Sequence, residues 1–411
     1  MKQVEDHLAE VLAAMTPLPP LDLQLLDAQG LTLLEDVVAP RDLPSFDNSA
    51  MDGYAVRVAD VSAASEDSPV VLRVTGDIAA GSSSAYALGP GITARIMTGA
   101  PMPHHGEAVV PVEWTDGGVA RVEIRKCPTP GEHIRRAGSD VHAGDTVLTR
   151  GTTLGPTQIG LLAAIGRDRV LVQPLPRVVV MSTGDELVEP GHPLARGQIH
   201  DANSFMLASA AREAGATVYR VGIVGDDPRK LLDTLEDQLI RADLVLTTGG
   251  VSKGAYDVVK EVLGRLGTVR FDEVAMQPGK PQGFGTVGPE STPIFTLPGN
   301  PVSAYVSFEV FVRPALRRLA GLDDDALFRS IVTARCTKTI TGSAGRRQFL
   351  RVRLERAGSD WTVTPVGGHG SHLIGSLAHA NALAVVPEAT VEVPVGGTLE
   401  VMVLDPLLSR P

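Results

Sequence analysis

The chain has 411 residues, too many for one hydrophobic core, so roughly two to four domains are expected. Its 37 Lys and Arg against 48 Asp and Glu give a formal charge of −11 without a long basic run, which argues against nucleic-acid scaffolds and binders of anionic membranes. Aromatics at 4% beside 43 Gly and 30 Pro indicate many turns and compact β or α/β units, not stacked aromatic platforms.

Cys127 and Cys336 stand far apart and supply neither a disulfide framework nor a Cys-rich zinc site. The start, Met1-Lys2-Gln3-Val4-Glu5-Asp6, is acidic where a signal peptide is basic, and no apolar run approaches the ~20 residues of a membrane span. No membrane partner and a cytoplasmic location are therefore expected.

Val4, Leu8, Val11, Leu12 and Met15 recur at helical spacing, and the prolines from Pro17 to Pro20 end that helix. A second helical segment is expected over Asp22–Leu34. From Ser45 to Asp140 short alternating runs (Val70–Thr75, Thr93–Met97, Ala108–Pro111, Val119–Ile124) separated by Gly, Pro and Asp predict an all-β insert domain. Pro156–Ile165 reads as a helix and Arg169–Gln173 as a strand. Residues 1–44 and 141–175 then form one discontinuous N-terminal domain interrupted by the insert at 45–140.

Residues 176–327 carry the clearest pattern. Apolar strands at Val178–Ser182, Val218–Val224, Leu244–Thr248 and Ile294–Leu297 alternate with helices at Ser204–Ala214, Pro228–Arg241, Tyr256–Leu266 and Pro301–Leu319. That alternation predicts an α/β/α domain on a central parallel sheet covered on both faces, with ligands beyond the carboxyl ends of its strands. Pro314 should kink the last helix or mark its final segment. Residues 328–411 return to short strands (Ser330–Cys336, Gln348–Leu354, Trp361–Pro365, Ala382–Val386, Leu399–Leu404), a small β-barrel or sandwich.

The loops after the strands carry the candidate chemistry. Thr247-Thr248-Gly249-Gly250-Val251-Ser252 lets amides and hydroxyls approach a phosphate or pterin, though an isolated Gly-Gly is more often only a tight connection. Ser182-Thr183-Gly184-Asp185-Glu186 and Asp226-Asp227 add carboxylates at the same edge. Asp257 could cap the next helix or join them, and a divalent cation would be their natural counter-charge. Pro278-Gly279-Lys280-Pro281 holds one lysine in a rigid turn, and Leu297-Pro298-Gly299-Asn300-Pro301 opens a helix whose amides attract anions. Gly367-Gly368-His369-Gly370-Ser371-His372 is a flexible hydroxyl-bearing loop whose histidines lack a third metal ligand. Arg346, Arg347 and Arg351 supply local positive charge.

With Asp47-Asn48-Ser49-Ala50-Met51-Asp52-Gly53-Tyr54-Ala55, which no generic turn requires, these strings resemble, in order and over nearly the whole chain, the molybdopterin molybdenumtransferase family, which includes the enzymatic domain of gephyrin. The resemblance implies a four-domain homodimer whose active site is shared between the α/β domain of one subunit and the β insert of the other, with a C-terminal small β-barrel. It implies adenylylated molybdopterin and molybdate as substrates, AMP as product, Mg²⁺ or another divalent cation as helper, and an upstream molybdopterin adenylyltransferase as transient partner. Carried over by position, Asp52 and Thr98 would face the site from the second subunit. Glu186, Asp227 and Asp257 would be the acidic positions that hold metal, with Lys280 near the anion. Thr183, Gly184, Gly249, Gly250, Ser252, Pro298 and Asn300 would bind substrate, and Arg351 and Ser371 would contact molybdate. One position departs: Gln277 stands where many relatives carry lysine, so either Arg346 or Arg347 replaces that charge or anion affinity is lower here.

Two other readings compete. A molybdopterin adenylyltransferase on the same α/β domain would need ATP and would leave the insert and barrel without a role. A non-enzymatic scaffold would call for an additional partner-binding region.

Overall fold

A computed structural model describes the chain except residues 83–85, 250–258, 260–261, 264–267, 406 and 409–411. It separates into two compact units, residues 1–19 with 173–411 and residues 20–172.

The larger unit is built on a six-stranded sheet. Its strands are β1 (Arg177–Thr183), β2 (Thr217–Val224), β3 (Leu244–Thr248), β4 (Arg270–Glu273), β5 (Pro281–Val287) and β6 (Thr292–Leu297), in the order β2-β1-β3-β6-β5-β4. The strand period of two explains the continuous apolar run of β1. Val178 and Val180 enter one core, and Val179 and Met181 enter the other. The first core is closed by Leu207 and Ala211 of helix α2 (Asn203–Glu213), the second by Leu231 and Leu235 of helix α3 (Pro228–Leu239). Val4, Val11 and Met15 of the N-terminal segment, whose helix α1 covers Val4–Ala13, are buried in the first core, so residues 1–19 count with this unit.

Strands β1, β2, β3 and β6 pair in parallel as expected. The sequence reading missed β5, which pairs antiparallel with β6, and β4, which pairs antiparallel with β5; together they make the sheet mixed. The reason lies in Gly283 and Gly285. A Cβ at Gly283 would stand 2.8 Å from Thr296 Cβ, and one at Gly285 would run into the Thr268–Val269 backbone, so glycines that resemble a loop are what this strand requires. Of the expected helix at Tyr256–Leu266, only Val259, Val262 and Leu263 lie among the described residues, and they are helical and buried.

The long C-terminal helix runs from Pro301 to Leu319 with a π-helical turn at Phe308–Val312. Pro314 is the second residue of the final α segment, Arg313–Leu319. It has no N–H to offer, and its ring would collide with the Val310 carbonyl in a regular turn, which the widened turn relieves. Glu309 in that turn is buried and receives a forked pair from Arg329, with Nε and Nη2 each 2.9 Å from its oxygens.

Five strands then close into a barrel: β7 (Ile331–Cys336), β8 (Arg347–Ala357), β9 (Asp360–Pro365), β10 (Ala382–Val386) and β11 (Thr398–Val403), in the cyclic order β8-β9-β7-β11-β10. Outside the ring, Met276–Gln277 pairs with the start of β8.

In the smaller unit, Ala108–Pro111, Gly53–Val56, Ile92–Ile96, Val70–Ile78 and Arg121–Ile124 form one five-stranded sheet. Gly53–Val56 is fully buried near its centre, and a Cβ at Gly53 would overlap the Val110 carbonyl. The helix expected over Asp22–Leu34 is absent. Leu21–Gln24 instead pairs antiparallel with the strand Arg169–Gln173, and after a turn Thr32–Leu33 flanks the other side of that strand. Alternation in Leu21-Asp22-Leu23-Gln24 and a waiting strand edge outweigh the weak helical spacing.

Candidate active site

The carboxyl ends of β1, β3 and β6 meet at a cavity of about 300 Å³. Thr183 and Glu186 line it after β1, Thr248 and Gly249 after β3, and Asn300 after β6. Backbone geometry brings them together. Gly249 has φ +97, and a Cβ there would lie 2.6 Å from the Thr183 carbonyl. Its amide donates to Leu297 O at 3.2 Å. Gly184, at φ +145, leaves room for the Glu186 carboxylate folded over it.

Asp201, Asn203, His200 and His372 also line this cavity, and the sequence reading missed them. Asp201 is buried and accepts from Ser182 Oγ (2.9 Å), Ser204 N (3.1 Å) and Ser204 Oγ (2.5 Å). Asn203 Nδ2 donates to Thr248 Oγ1 (2.9 Å) and to Gly299 O (2.6 Å), and Thr248 Oγ1 donates to Pro298 O (3.3 Å). The polar string Asp201-Ala202-Asn203-Ser204 just before a helix was the available signal, although it reads equally as a helix start.

The other expected residues fall as follows. Asp227 caps α3, its Oδ1 accepting from Arg229 N (2.9 Å) and Lys230 N (3.3 Å). Asp185, not Glu186, bridges the first two loops, its Oδ1 accepting from Asp226 N at 3.1 Å. Gly250, Ser252 and Asp257 lie outside the described residues. Among the described residues no group of three His, Cys, Asp or Glu side chains is close enough to hold a metal ion. Lys280 pairs with Glu273 at 2.9 Å, and it lines neither this cavity nor the one beside Arg351.

Arg351 is buried and donates to the carbonyls of Gly368 and, at 3.0 Å, Gly370. Its Nε has no hydrogen-bond partner among the described residues, and burial pushes its pKa below the usual arginine value. It lines a second cavity, of about 80 Å³, with Gln277, Pro278 and Gly368. The Ser371 carbonyl accepts from Val302 N (3.0 Å), which fixes this loop on the helix start. Of the two arginines considered beside Gln277, Arg347 is committed to Glu5 and to Glu388 (3.0 Å), while Arg346 makes no ion pair among the described residues.

In the smaller unit Asp52 and Thr98 are adjacent. Asp52 Oδ1 accepts from the Thr98 amide (2.6 Å) and hydroxyl (2.8 Å), which hold its carboxyl below the usual aspartate value. Asp47 similarly ties Ala137 N (2.8 Å) and Arg136 (2.5 Å), so the motif's first aspartate is structural.

Three family models match: the MoeA N-terminal region (domain I and II) over residues 2–166, a probable molybdopterin binding domain over 179–318, and the MoeA C-terminal region (domain IV) over 333–404. Molybdopterin molybdenumtransferase 2 of Mycobacterium tuberculosis is 50% identical, over 98% of this chain and 99% of the relative. The chain belongs to the molybdopterin molybdenumtransferase family. Molybdopterin molybdenumtransferase 1 of the same organism is 42% identical over 98% of this chain and 99% of its own length. A solved molybdopterin biosynthesis moea protein from Pyrococcus horikosii is 33% identical and superposes with TM-score 0.72 over 98% of this chain and 99% of that one. The molybdopterin molybdenumtransferase fold, with its mixed sheet and closed barrel, is therefore shared over the full length.

Proposed function

We propose that this chain completes molybdenum cofactor: it takes adenylylated molybdopterin and molybdate, releases AMP and leaves molybdenum on the dithiolene. Arg351 carries the reading. A buried guanidinium that meets only carbonyls, with one N–H unpartnered among the described residues, is arranged for an oxyanion such as molybdate. Membership of the family over the whole chain supports the same activity.

In this reading Thr183, Gly184, Gly249, Gly250, Ser252, Pro298 and Asn300 bind the adenylylated substrate, and Arg351, Ser371 and Lys280 take the anion, Lys280 exchanging Glu273 for it. Water adds to a phosphorus of the pyrophosphate, the bridging P–O bond breaks and AMP leaves. The two dithiolene thiols then bond the molybdenum of molybdate, and their two protons carry one oxide away as water. Positioning and charge complementarity do the work, with no covalent enzyme intermediate. The oxygen-only set Glu186, Asp227 and Asp257 suits a hard divalent cation such as Mg²⁺, Asp227 giving the oxygen that its helix amides leave open. That cation would withdraw charge from the pyrophosphate.

The chain works as a homodimer of four-domain subunits, with Asp52 and Thr98 supplied by the second copy. Phe46, Met51 and Val112, exposed large apolar side chains near Asp52 in sequence or by contact, support an interface there. An upstream adenylyltransferase delivers the substrate, and the reaction runs in the cytoplasm. Among the described residues no helix is long and apolar enough to cross a membrane.

The test incubates the purified chain with adenylylated molybdopterin and molybdate, with and without Mg²⁺, following AMP together with reconstitution of a cofactor-free molybdoenzyme. AMP and active cofactor must rise together. Pyrophosphate released from ATP and free molybdopterin, with no cofactor formed, would replace this reading by the adenylyltransferase. Mixing Asp52→Ala with Glu186→Ala subunits should restore activity if the site is shared, since one of its two sites is then intact.

A further inference from the structure

Two sets of side-chain hydrogen bonds meet at the first turn of α2 beside the cavity beyond β1, β3 and β6. Ser182 at the end of β1 donates to Asp201 (2.9 Å), and Asp201 accepts from Ser204 in the first turn of α2. The same turn carries Asn203. Its two amide hydrogens go to Thr248 Oγ1, at the end of β3, and to Gly299 O, after β6. Thr248 spends its one hydroxyl proton on Pro298 O. One asparagine thus ties the carboxyl ends of β3 and β6, and its neighbours Asp201 and Ser204 hold the end of β1 to the same helix turn.

The direction of the amide follows from its partners. Gly299 O can only accept, so the nitrogen of Asn203 must face it, and both donors of that nitrogen are then used. Oδ1 is left as an acceptor. Among the described residues no donor is directed at it, and Asn203 lines the cavity.

We propose that Asn203 is a positioning and specificity residue. It locks the loops after β3 and β6 together, and it presents Oδ1 to an N–H or O–H donor of the bound molecule, of the kind an adenine amine, a ribose hydroxyl or a pterin edge carries. This rests on the function proposed above and assigns to Asn203 a part in choosing the substrate.

Two substitutions separate the two roles. Thr248→Val cuts the tie but leaves Oδ1. Asn203→Ala removes both. Equilibrium binding of AMP and of molybdopterin to the full chain is measured by calorimetry, with thermal unfolding and circular dichroism as controls. One hydrogen bond is worth about 2- to 12-fold in affinity, so Thr248→Val should weaken one of the two probes by several-fold, and Asn203→Ala should weaken it by about tenfold more. The double variant should bind no worse than Asn203→Ala, because the two residues share one bond.

Equal losses in the two single variants would overturn the recognition by Oδ1. Wild-type affinity in Asn203→Ala would overturn the whole proposal while leaving the proposed function standing. If the wild-type chain binds neither probe, the proposed function falls and the role of Asn203 falls with it.

Discussion

Replacing Gly249 by alanine isolates what shapes the mouth of the cavity. The new Cβ would lie 2.6 Å from Thr183 O and 3.0 Å from Thr183 Oγ1. Carbon–oxygen contacts settle at about 3.3 Å, so the loop after β3 must retreat by about 0.7 Å. Thr183 cannot yield instead, because it ends a strand paired on both sides and is itself buried. The retreat stretches the hydrogen bond that the Gly249 N–H donates to Leu297 O, worth about 0.5–1.5 kcal/mol. The positive φ of +97 adds about 1–2 kcal/mol for any residue with a Cβ. Gly191 provides the control: its φ is +93, but a Cβ there would meet nothing within 4 Å, so Gly191→Ala should cost only the backbone part. Urea unfolding should show Gly249→Ala about 1 kcal/mol or more below Gly191→Ala, the cost of the stretched bond, and only the former should lose AMP binding. Equal destabilisation, or full binding in Gly249→Ala, would refute the claim that close approach dictates glycine there.

Glu309→Gln removes the buried carboxylate that takes the Arg329 fork and leaves Arg329 and the partly unpartnered Arg313 only Glu213, and should destabilise by about 1.5–3 kcal/mol in denaturant. Asp52 should titrate below the ordinary 3.8 because the Thr98 amide, then its hydroxyl, bond the charged form; Thr98→Val should move the midpoint upward in a carboxyl NMR titration, and an unmoved midpoint would discount the hydroxyl. Burial, then Lys2, pushes His7 down from 6.5 to about 4, so its neutral form belongs to the fold. Since the folded pKa is the lower one, stability is full above pH 6.5 and declines, by up to ~3 kcal/mol, as pH falls toward 4. His7→Phe should flatten that decline if it folds, and His7→Gln serves if it does not.

Local pattern alone placed β1, β2, β3 and β6, the barrel strands and α1, because each buries apolar residues at its own period, and that period survives in one dimension. It also placed the Gly-rich and acidic loops at the strand ends; the family resemblance named Asp52 and Thr98, and only the fold shows them to be a hydrogen-bonded pair. Asp22–Leu34 misled because its pairing edge, Arg169–Gln173, is distant in the chain. The glycines of β5 hid a strand because only the neighbours in the sheet explain them. Lys280 and Asp227 looked like free charges in the sequence, and the fold gives them Glu273 and two helix amides. Asn203 and Asp201 could not be singled out, since their meaning is in partners some 45 and 19 residues away. A sequence records what each residue prefers as its surroundings; which carbonyl or hydroxyl actually meets it is decided when strands far apart in the chain come to lie side by side.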